Sequence, residues 1–466
     1  MHIRLLLALS VIIFVSCVKN LESSDSKSDL DIHVVDQLGE IVEGATVELY
    51  RSVEDRNSGR NIIIAKITGK KGMVGFSAKE INKNNKPLEE INGKYYLNLF
   101  KYNQRQQAET EFINFVKDKN ISQSIILENA NAETIIVKVA VVYENPVIQP
   151  QNKRLHEIFI TPGYTFSWND PAILSQNYEK ALEEVSGYTV DYQVVQEIDA
   201  NQMFTYLKND PQKRPLTVEE VSKYLDEDNW NTFKTVGTSY DYNRMVKHYG
   251  FDEMRDKDEI HEVWVWTFPY GGMWESHMMG EGAFWINSQP NENPSCKELL
   301  SIMGLNYERD LACALESYGH RFESTMMKVY GWWDYDNKPH ANDLTTWELF
   351  SAYGLRYDKY EKHMSQVGNV HFPPNGLEDY DFGNETYIMS YVDDWLNYPY
   401  LRRTEPKSVN RKEWGNPDGS WQLGWMKYYL SHLPHYKGIN SNDGKLNNWW
   451  HYVVDYNGAI KKQNIQ

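Results

Sequence analysis

Glu316, His320 and Glu323 are spaced so that three side chains with acid–base chemistry share one helix face. At about 100° per residue they lie within about 60° of one another around a helix. An imidazole held between two carboxylates can work as a general acid or base. The spacing therefore predicts that Glu316, His320 and Glu323 are catalytic. An ordinary ladder of surface ion pairs at i,i+3 and i,i+4 is the alternative.

His320 and Glu323 also form an H-x-x-E pair, a pattern that can hold zinc when a third ligand comes from elsewhere. His371 and His277 are candidates for that ligand. His371 is favoured because Pro373–Pro374 stiffen the segment that carries it. A metal site formed by His320, Glu323 and His371 is therefore an alternative to metal-free chemistry. The cofactor stays unknown at this level, with zinc and calcium as the metals to consider.

Glu275 is a further carboxylate in a favourable position. It follows a strand-like segment that ends at Phe268 and the glycine pair Gly271–Gly272. Ligands of open α/β sheets bind beyond the carboxyl ends of the strands, and glycines allow a loop to line a pocket. We predict that Glu275 is catalytic and that Trp274 and Trp285 are platforms for substrate rings. A solvated loop is the alternative.

The segment that follows His371 is rich in turn-forming residues with side-chain oxygens. Asp379 and Asp381 would lie on one side of an extended chain, where they could supply a carboxylate or oxygen ligands for calcium. Capping of local turns explains such residues equally well. The full set predicted to bind substrate combines aromatic, imidazole and oxygen-bearing side chains: Trp274, Trp285, His371, Asn375, Asp379, Asp381, Asp394 and Trp395.

The composition excludes some classes of partner. The 466 residues include 48 Lys and Arg against 65 Asp and Glu, which gives a net charge of −17. Phosphate binding depends on basic residues, so neither nucleic acid nor an anionic lipid surface is expected as a partner. The chain contains no serine-hydrolase elbow, glycine-rich phosphate loop or H-E-x-x-H motif. Their absence from the sequence weakens the prediction of a serine hydrolase, a nucleotide-binding protein or a zincin.

The first 17 residues predict export. Leu5–Val15 is an apolar run of 11 residues, which spans about 16 Å as a helix and falls short of a bilayer core of ~30 Å. The run is therefore typical of a cleaved signal peptide. Val15-Ser16-Cys17 resembles the bacterial lipoprotein signal, and an ordinary signal peptide is the alternative.

That resemblance implies a signal peptide over 1–17 that ends at a lipidated Cys17. Residues 18–28 are rich in Ser and Asp and are expected to form a flexible tether. The protein would then be a bacterial lipoprotein of the outer membrane or cell surface, in contact with the membrane through its N-terminal lipid only.

Cys296 and Cys313 remain after Cys17 is set aside. In an oxidising compartment they could form a disulfide, which would stabilise the fold by about 3 kcal/mol in the chain-entropy model. Two free thiols are the alternative.

Residues 29–130 contain short strand-like segments separated by turns. Asp36-x-x-Gly39, followed by Val42-x-Gly44-Ala45 and an alternating segment up to Tyr50, resembles the carboxypeptidase-regulatory-like, transthyretin-like family. The resemblance implies a small β-sandwich that acts as a spacer or interaction module and has no catalytic residue.

Residues 131–466 alternate between strand-like and helix-like segments. Ile135–Val142 is almost continuously apolar, as expected of a strand buried on both faces. Asn169–Val185 predicts a helix and Glu262–Phe268 a strand. The alternation predicts a large α/β domain with a mostly parallel sheet, followed by a loop-rich, aromatic-rich C-terminal region. With the preceding segment, the fold class is a small all-β sandwich followed by this α/β domain.

Four short segments of the α/β domain resemble a family of secreted bacterial proteins: Trp274–Ser276, Leu315–Glu323, His371–Asn375 and Asp393–Asn397. The resemblance implies no particular activity. From the residues themselves we expect a surface-anchored hydrolase that acts on an extracellular polymer. The favoured substrate is a glycan or glycopeptide, attacked by carboxylate and histidine acid–base chemistry. The alternatives are a metal-dependent peptidase or amidase and a non-catalytic, glycan-binding surface lipoprotein.

Overall fold

The computed structural model describes residues 29–82, 91–106, 112–161, 165, 167–226, 230–291, 296–331, 333, 344–353, 365–417 and 419–465. The predicted signal peptide, the lipidation site Cys17 and the tether lie outside these residues. No helix in these ranges is both long and apolar enough to cross a bilayer. The chain divides into two compact units. The first contains the described residues up to 127 except 57–59 and 100–105, which belong to the second unit together with the described residues from 128 onwards.

The first unit is built on one mixed sheet of eight strands. Its elements are β1 Leu30–Asp36, β2 Thr46–Tyr50, α1 Val53–Ser58, β3 Ile64–Ile67, β4 Met73–Phe76, α2 Ala78–Ile81, β5 Gly93–Lys101, β6 Gln104–Gln106, β7 Phe112–Phe115 and β8 Ile121–Asn129. The hydrogen-bonded order is β3-β2-β5-β6-β8-β1-β4, with β7 paired to β5.

Alternation of buried and partly exposed residues explains why these strands enclose a core. In β1, Leu30, Ile32 and Val34 are buried and the residues between them are not, which directs every second side chain to the same interior. The expected short strands are present. They form one continuous, nearly closed sheet, because β1 pairs with both β4 and β8. A sandwich of two separate sheets was the sequence-based expectation.

The second unit mixes helices and strands. Its elements are β9 Ile135–Tyr143, β10 Val147–Ile148, β11 Lys153–Arg154, α3 Leu155–Ile158, α4 Pro171–Val185, β12 Val190–Asp199, β13 Thr205–Leu207, α5 Val218–Leu225, α6 Trp230–Val236, β14 Thr238–Tyr240, α7 Tyr242–Tyr249, α8 Phe251–Asp256, β15 Glu262–Thr267, β16 Ser276–Met279, β17 Leu300–Asn306, α9 Leu311–Tyr330, α10 Thr346–Phe350, β18 Ile388–Ser390, a 3₁₀ helix Val392–Asn397, β19 Lys407–Val409, α11 Gln422–Ser431, β20 His435–Ile439, β21 Leu446–Asn448, α12 Trp449–Val454 and α13 Tyr456–Ile465.

Its central sheet has the order β12-β9-β15-β17-β16. The first four strands are parallel and β16 is an antiparallel edge, so the sheet is mostly parallel, as the alternation of segments predicts. Val139 and Val141 of β9 belong to a core shared with α4 and α9. Ala140 and Val142 belong to a second core shared with α7 and α8. Consecutive strand residues point to opposite faces, so helices cover both sides.

Aromatic rings fill the core of the C-terminal region. Trp395 is 0% exposed, and its ring lies 5.8 Å from that of Tyr398 and 5.9 Å from that of Trp449. Its indole Nε1 donates a hydrogen bond to Gln366 Oε1 at 3.1 Å. The prediction that Trp395 is a substrate platform is therefore wrong, because both its ring and its polar atom are already occupied inside the protein.

Helix α9 is fixed over the sheet by a buried ion pair. Asp310 begins the helix by accepting a hydrogen bond from Cys313 N, and Gly331 ends it in the left-handed region at φ 83°. In between, Arg321 pairs with Glu262 of β15, and both side chains are 1% exposed. Losing one partner of such a pair would leave a buried charge uncompensated. The pair therefore sets the rotation of α9 and the direction of its remaining polar residues.

Glu144, directly after β9, makes stability dependent on pH. Its buried carboxyl accepts hydrogen bonds from Tyr240 Oη at 2.8 Å and Thr267 Oγ1 at 2.7 Å. Burial outweighs these bonds and raises the pKa of Glu144 from 4.5 to about 7. The stabilisation is complete below pH 4.5 and is lost as the pH rises through 7.

We expect Glu144→Gln to remove this dependence, since an amide does not titrate. Between pH 5 and pH 8 the wild type should lose about 2–3 kcal/mol more unfolding free energy than the variant. Urea unfolding at both pH values measures the difference. Glu219→Gln, which changes an exposed acid on α5, is the matched control. Equal pH slopes for wild type and Glu144→Gln would contradict the prediction.

Candidate metal centre

Glu316, His320 and His371 bring one ligand atom each into a small triangle. His320 Nε2 lies 3.1 Å from His371 Nε2 and 3.9 Å from Glu316 Oε1, and the remaining side, His371 Nε2 to Glu316 Oε1, is 3.3 Å. Atoms at these separations lie on a circle with a radius of about 2.0 Å, which matches the ~2.0–2.2 Å bonds of zinc to imidazole nitrogen and carboxylate oxygen. One divalent cation could therefore bond to all three residues.

The triangle forms because a loop closes tightly on α9. Glu316 and His320 lie one turn apart on the helix, and His371 comes from the loop after residue 365. A Cβ at Gly319 would lie 2.6 Å from Val370 Cγ2, so only glycine admits the loop at this distance. Asn369 Oδ1 accepts hydrogen bonds from the backbone N–H groups of His371 at 3.1 Å and Phe372 at 3.0 Å, which fixes the turn that presents the imidazole.

Glu323 supports the triangle by contacting the second ring nitrogen of His320. Its Oε2 lies 3.0 Å from His320 Nδ1, and its Oε1 accepts a hydrogen bond from Val370 N at 2.8 Å. The ligand set His320, Glu323 and His371 expected from the sequence is therefore corrected: Glu316 takes the third position, and Glu323 orients His320. Metal-binding histidines usually have such a partner on their second nitrogen. Asp379 Oδ1 lies 3.6 Å from His371 Nδ1.

The surroundings favour a positive charge at the triangle. Burial by itself raises the pKa of Glu316, but hydrogen bonds with His371 and Tyr380 and the nearby imidazoles lower it overall. Burial by itself lowers the pKa of His320, but the hydrogen bond and charge of Glu323, with the charges of Glu275 and Glu316, raise it to about 9. Carboxylates therefore dominate the local potential, as expected of residues that hold a cation.

Tyr380 and Gln422 complete the contacts of Glu316. Tyr380 Oη donates a hydrogen bond to Glu316 Oε1 at 2.8 Å, and Gln422 Nε2 donates one to Glu316 Oε2 at 2.7 Å. Neither residue was among the sequence-based candidates. Tyr380 adjoins the predicted Asp379, whereas Gln422 lies at the start of α11, where the sequence carries no motif.

A cavity of about 200 Å³ opens where β17 ends and α9 begins. Its polar lining includes Glu275, Asn306, Arg309 and Ser317. This is the carboxyl end of a parallel strand, where α/β sheets bind ligands. The charge of Glu275 contributes to the raised pKa of His320, so this carboxylate lies within electrostatic reach of the triangle. Its Oε2 accepts a hydrogen bond from Asn287 Nδ2.

Trp274 and Trp285 are open to solvent. Trp274 is 57% exposed and Trp285 is 45% exposed. Trp274 precedes the cavity residue Glu275, and Trp285 lies two residues before Asn287, the hydrogen-bond partner of Glu275. Both rings are therefore available to a ligand.

Three residues that were predicted to bind substrate form hydrogen bonds within nearby turns. Asn375 is buried and donates to the carbonyl oxygens of Asn384 at 3.0 Å and Thr386 at 2.7 Å. Asp381 Oδ2 accepts from Leu377 N and Asn384 Nδ2. Asp394 Oδ2 accepts from Arg403 N. Asn375, Asp381 and Asp394 therefore stabilise local turns through these contacts. Substrate binding by these three residues stays a prediction.

The remaining sulfur and imidazole candidates do not contribute a ligand atom to the triangle. Cys296 is a buried free thiol in the core shared with α7 and α8, while Cys313 is a free thiol on α9, on the opposite face of the sheet. A disulfide between them is therefore excluded in this fold. His277 stacks on Tyr242 at 4.0 Å, and its Nδ1 lies 2.9 Å from Ser288 Oγ, so it is not a third ligand.

No protein-family model matches the sequence, and no curated protein matches it. Function is therefore inferred from the geometry and charges of this site.

Proposed function

We propose that the protein is a metal-dependent hydrolase in which Glu316, His320 and His371 hold one divalent cation. The observation that carries the proposal is the triangle, which has sides of 3.1, 3.3 and 3.9 Å. A carboxylate also lies near the other ring nitrogen of each imidazole. Three protein ligands leave a coordination position for water or substrate, as in catalytic zinc sites. Two imidazoles and one carboxylate suit zinc, and the same set also serves iron(II).

The residues around the triangle suit hydrolysis of an amide bond. Glu316, His320 and His371 would hold the cation, and a zinc ion held there would lower the pKa of its water to about 7 and would polarise a carbonyl oxygen. Glu275 is the proposed base that takes the proton of the attacking water and passes it to the leaving nitrogen. The water oxygen bonds to the carbonyl carbon, the carbon–nitrogen bond breaks, and the products are an acid and an amine. Tyr380 and Gln422 keep Glu316 aimed at the cation.

The proposed substrate is an extracellular peptide or glycopeptide. Exposed Trp274 and Trp285 next to Glu275 provide apolar faces for it. The same exposed rings, with the acid–base group Glu275 and His320, support metal-free hydrolysis of a glycan as a second candidate.

The proposed setting follows from the N-terminal sequence. Val15-Ser16-Cys17 supports attachment through a lipid at Cys17 to the outer membrane or cell surface. The first unit, whose sequence resembles the transthyretin-like family, is proposed to act as a spacer. Membrane contact would then involve the lipid only.

Metal content and its dependence on Glu323 test the proposed function. We expect about one zinc per chain and loss of peptide hydrolysis on chelation. Glu323→Gln should weaken zinc affinity about 10- to 100-fold, which is the usual effect of removing the hydrogen-bond partner of a ligand histidine.

Asp258→Asn is the matched control. Asp258 lies 3.0 Å from His261 at the same i,i+3 spacing, outside the triangle, and its loss should leave zinc affinity unchanged. Purified protein without stoichiometric metal, together with activity that resists chelators, would contradict the proposal and favour metal-free hydrolysis. Retention of a glycan without any product would favour a binding protein.

A further inference from the structure

Arg309 is a cationic residue of the cavity with an unengaged guanidinium. It lies between β17 and α9 and lines the cavity together with Glu275. Its charge interacts with those of Glu275, Glu308 and Glu316. Within the described ranges its side chain nevertheless forms neither an ion pair nor a hydrogen bond, which leaves the five donors of a guanidinium for another group.

The neighbouring carboxylates are held by other residues. Glu308 accepts hydrogen bonds from Thr161 Oγ1 and Asn306 Nδ2. Glu275 accepts one from Asn287, as described above. Glu316 is engaged on both oxygens by Tyr380 and Gln422. Arg309 is therefore placed among acids without being neutralised by any of them in a direct contact.

The shape of a guanidinium defines the group that it would bind. A planar carboxylate can accept two parallel hydrogen bonds from it.

We propose that Arg309 binds a carboxylate of the substrate next to the scissile amide, so that the enzyme selects acidic peptides. This inference rests on the proposed function and names its substrate class. The carboxylate can come from the C-terminus of a peptide or from a Glu or Asp side chain. Both sources present the same group to the guanidinium, and Arg309 is thereby a specificity-determining residue.

Three short peptides distinguish the sources and test the inference on the zinc-loaded protein. The first has an acetylated N-terminus and a free C-terminal carboxylate, the second is its C-terminal amide, and the third is an amidated peptide with a glutamate after the scissile bond. Arg309→Gln should raise KM about 10- to 100-fold for the carboxylate peptides that wild type prefers, because a charge-assisted bond is lost. KM for the neutral amide should stay unchanged, and Arg309→Lys should recover part of the affinity. Arg214→Gln, at an exposed arginine paired with Glu220, is the control.

Direct binding separates this inference from the proposed function. Calorimetry with N-acetyl-phenylalanine and its amide, on protein that lacks the cation through His371→Ala, reports the guanidinium alone. Preference for the acid that disappears in His371→Ala/Arg309→Gln supports the inference even if no hydrolysis occurs. Equal binding of acid and amide in both proteins overturns it. Equal loss of kcat on all three peptides in Arg309→Gln would overturn it as well, because Arg309 would then act on the reacting oxygen.

Discussion

Replacing His371 with alanine is expected to remove the stoichiometric cation and to lower kcat/KM for peptide hydrolysis by more than about a hundredfold. Loss of the hydrogen-bond partner of a ligand lowers metal affinity about 10- to 100-fold. Loss of the ligand itself should lower metal affinity further. The remaining pair, Glu316 and His320, lies on a single helix and cannot enclose the cation. Elemental analysis and steady-state kinetics on the same preparation measure both effects.

His261→Ala is the matched control for this variant. His261 also has a carboxylate neighbour at 3.0 Å but lies outside the triangle, so its replacement should leave zinc and activity in place. Added imidazole should partly restore activity to His371→Ala, since the cavity left by the side chain admits it. A His371→Ala protein that keeps one zinc per chain would contradict the assignment of His371 as a ligand.

Glu275→Gln is expected to lower kcat by about 10²- to 10⁴-fold, the contribution typical of a general base. The amide keeps the shape of the side chain and can still accept the hydrogen bond of Asn287, but it cannot take a proton. Zinc content and KM should change little. Glu281→Gln, an exposed acid of the same segment, is the control. Wild-type kcat in Glu275→Gln would exclude Glu275 from the mechanism.

The sequence was most informative where chemistry follows helical spacing. Glu316, His320 and Glu323 were expected on one face of a helix, and α9 contains all three. The role of each carboxylate could not be predicted, because it depends on the loop. Val370 N occupies Glu323 Oε1 and the loop places His371 beside Glu316. No local pattern specifies that approach across about fifty residues.

Periodicity also identified the parallel sheet, since Ile135–Val142 has the apolar continuity of a strand covered on both faces. It could not separate aromatic rings in the core from rings at a ligand site. Trp395 and Trp274 both stand beside acidic residues in the sequence, but tertiary packing buries one and leaves the other open. Arg309 was missed because its distinguishing property, a guanidinium without a contact, exists only in three dimensions.

The unequal distribution of tryptophan has an optical consequence. Seven indoles are fully enclosed in the described part of the chain, whereas Trp274 and Trp285 face water beside the candidate site. Intrinsic fluorescence therefore has a component from enclosed rings and a component from solvent-facing rings. Global denaturation shifts the emission of the enclosed indoles to the red, while quenching of Trp274 and Trp285 reports a ligand at these two rings without any added label.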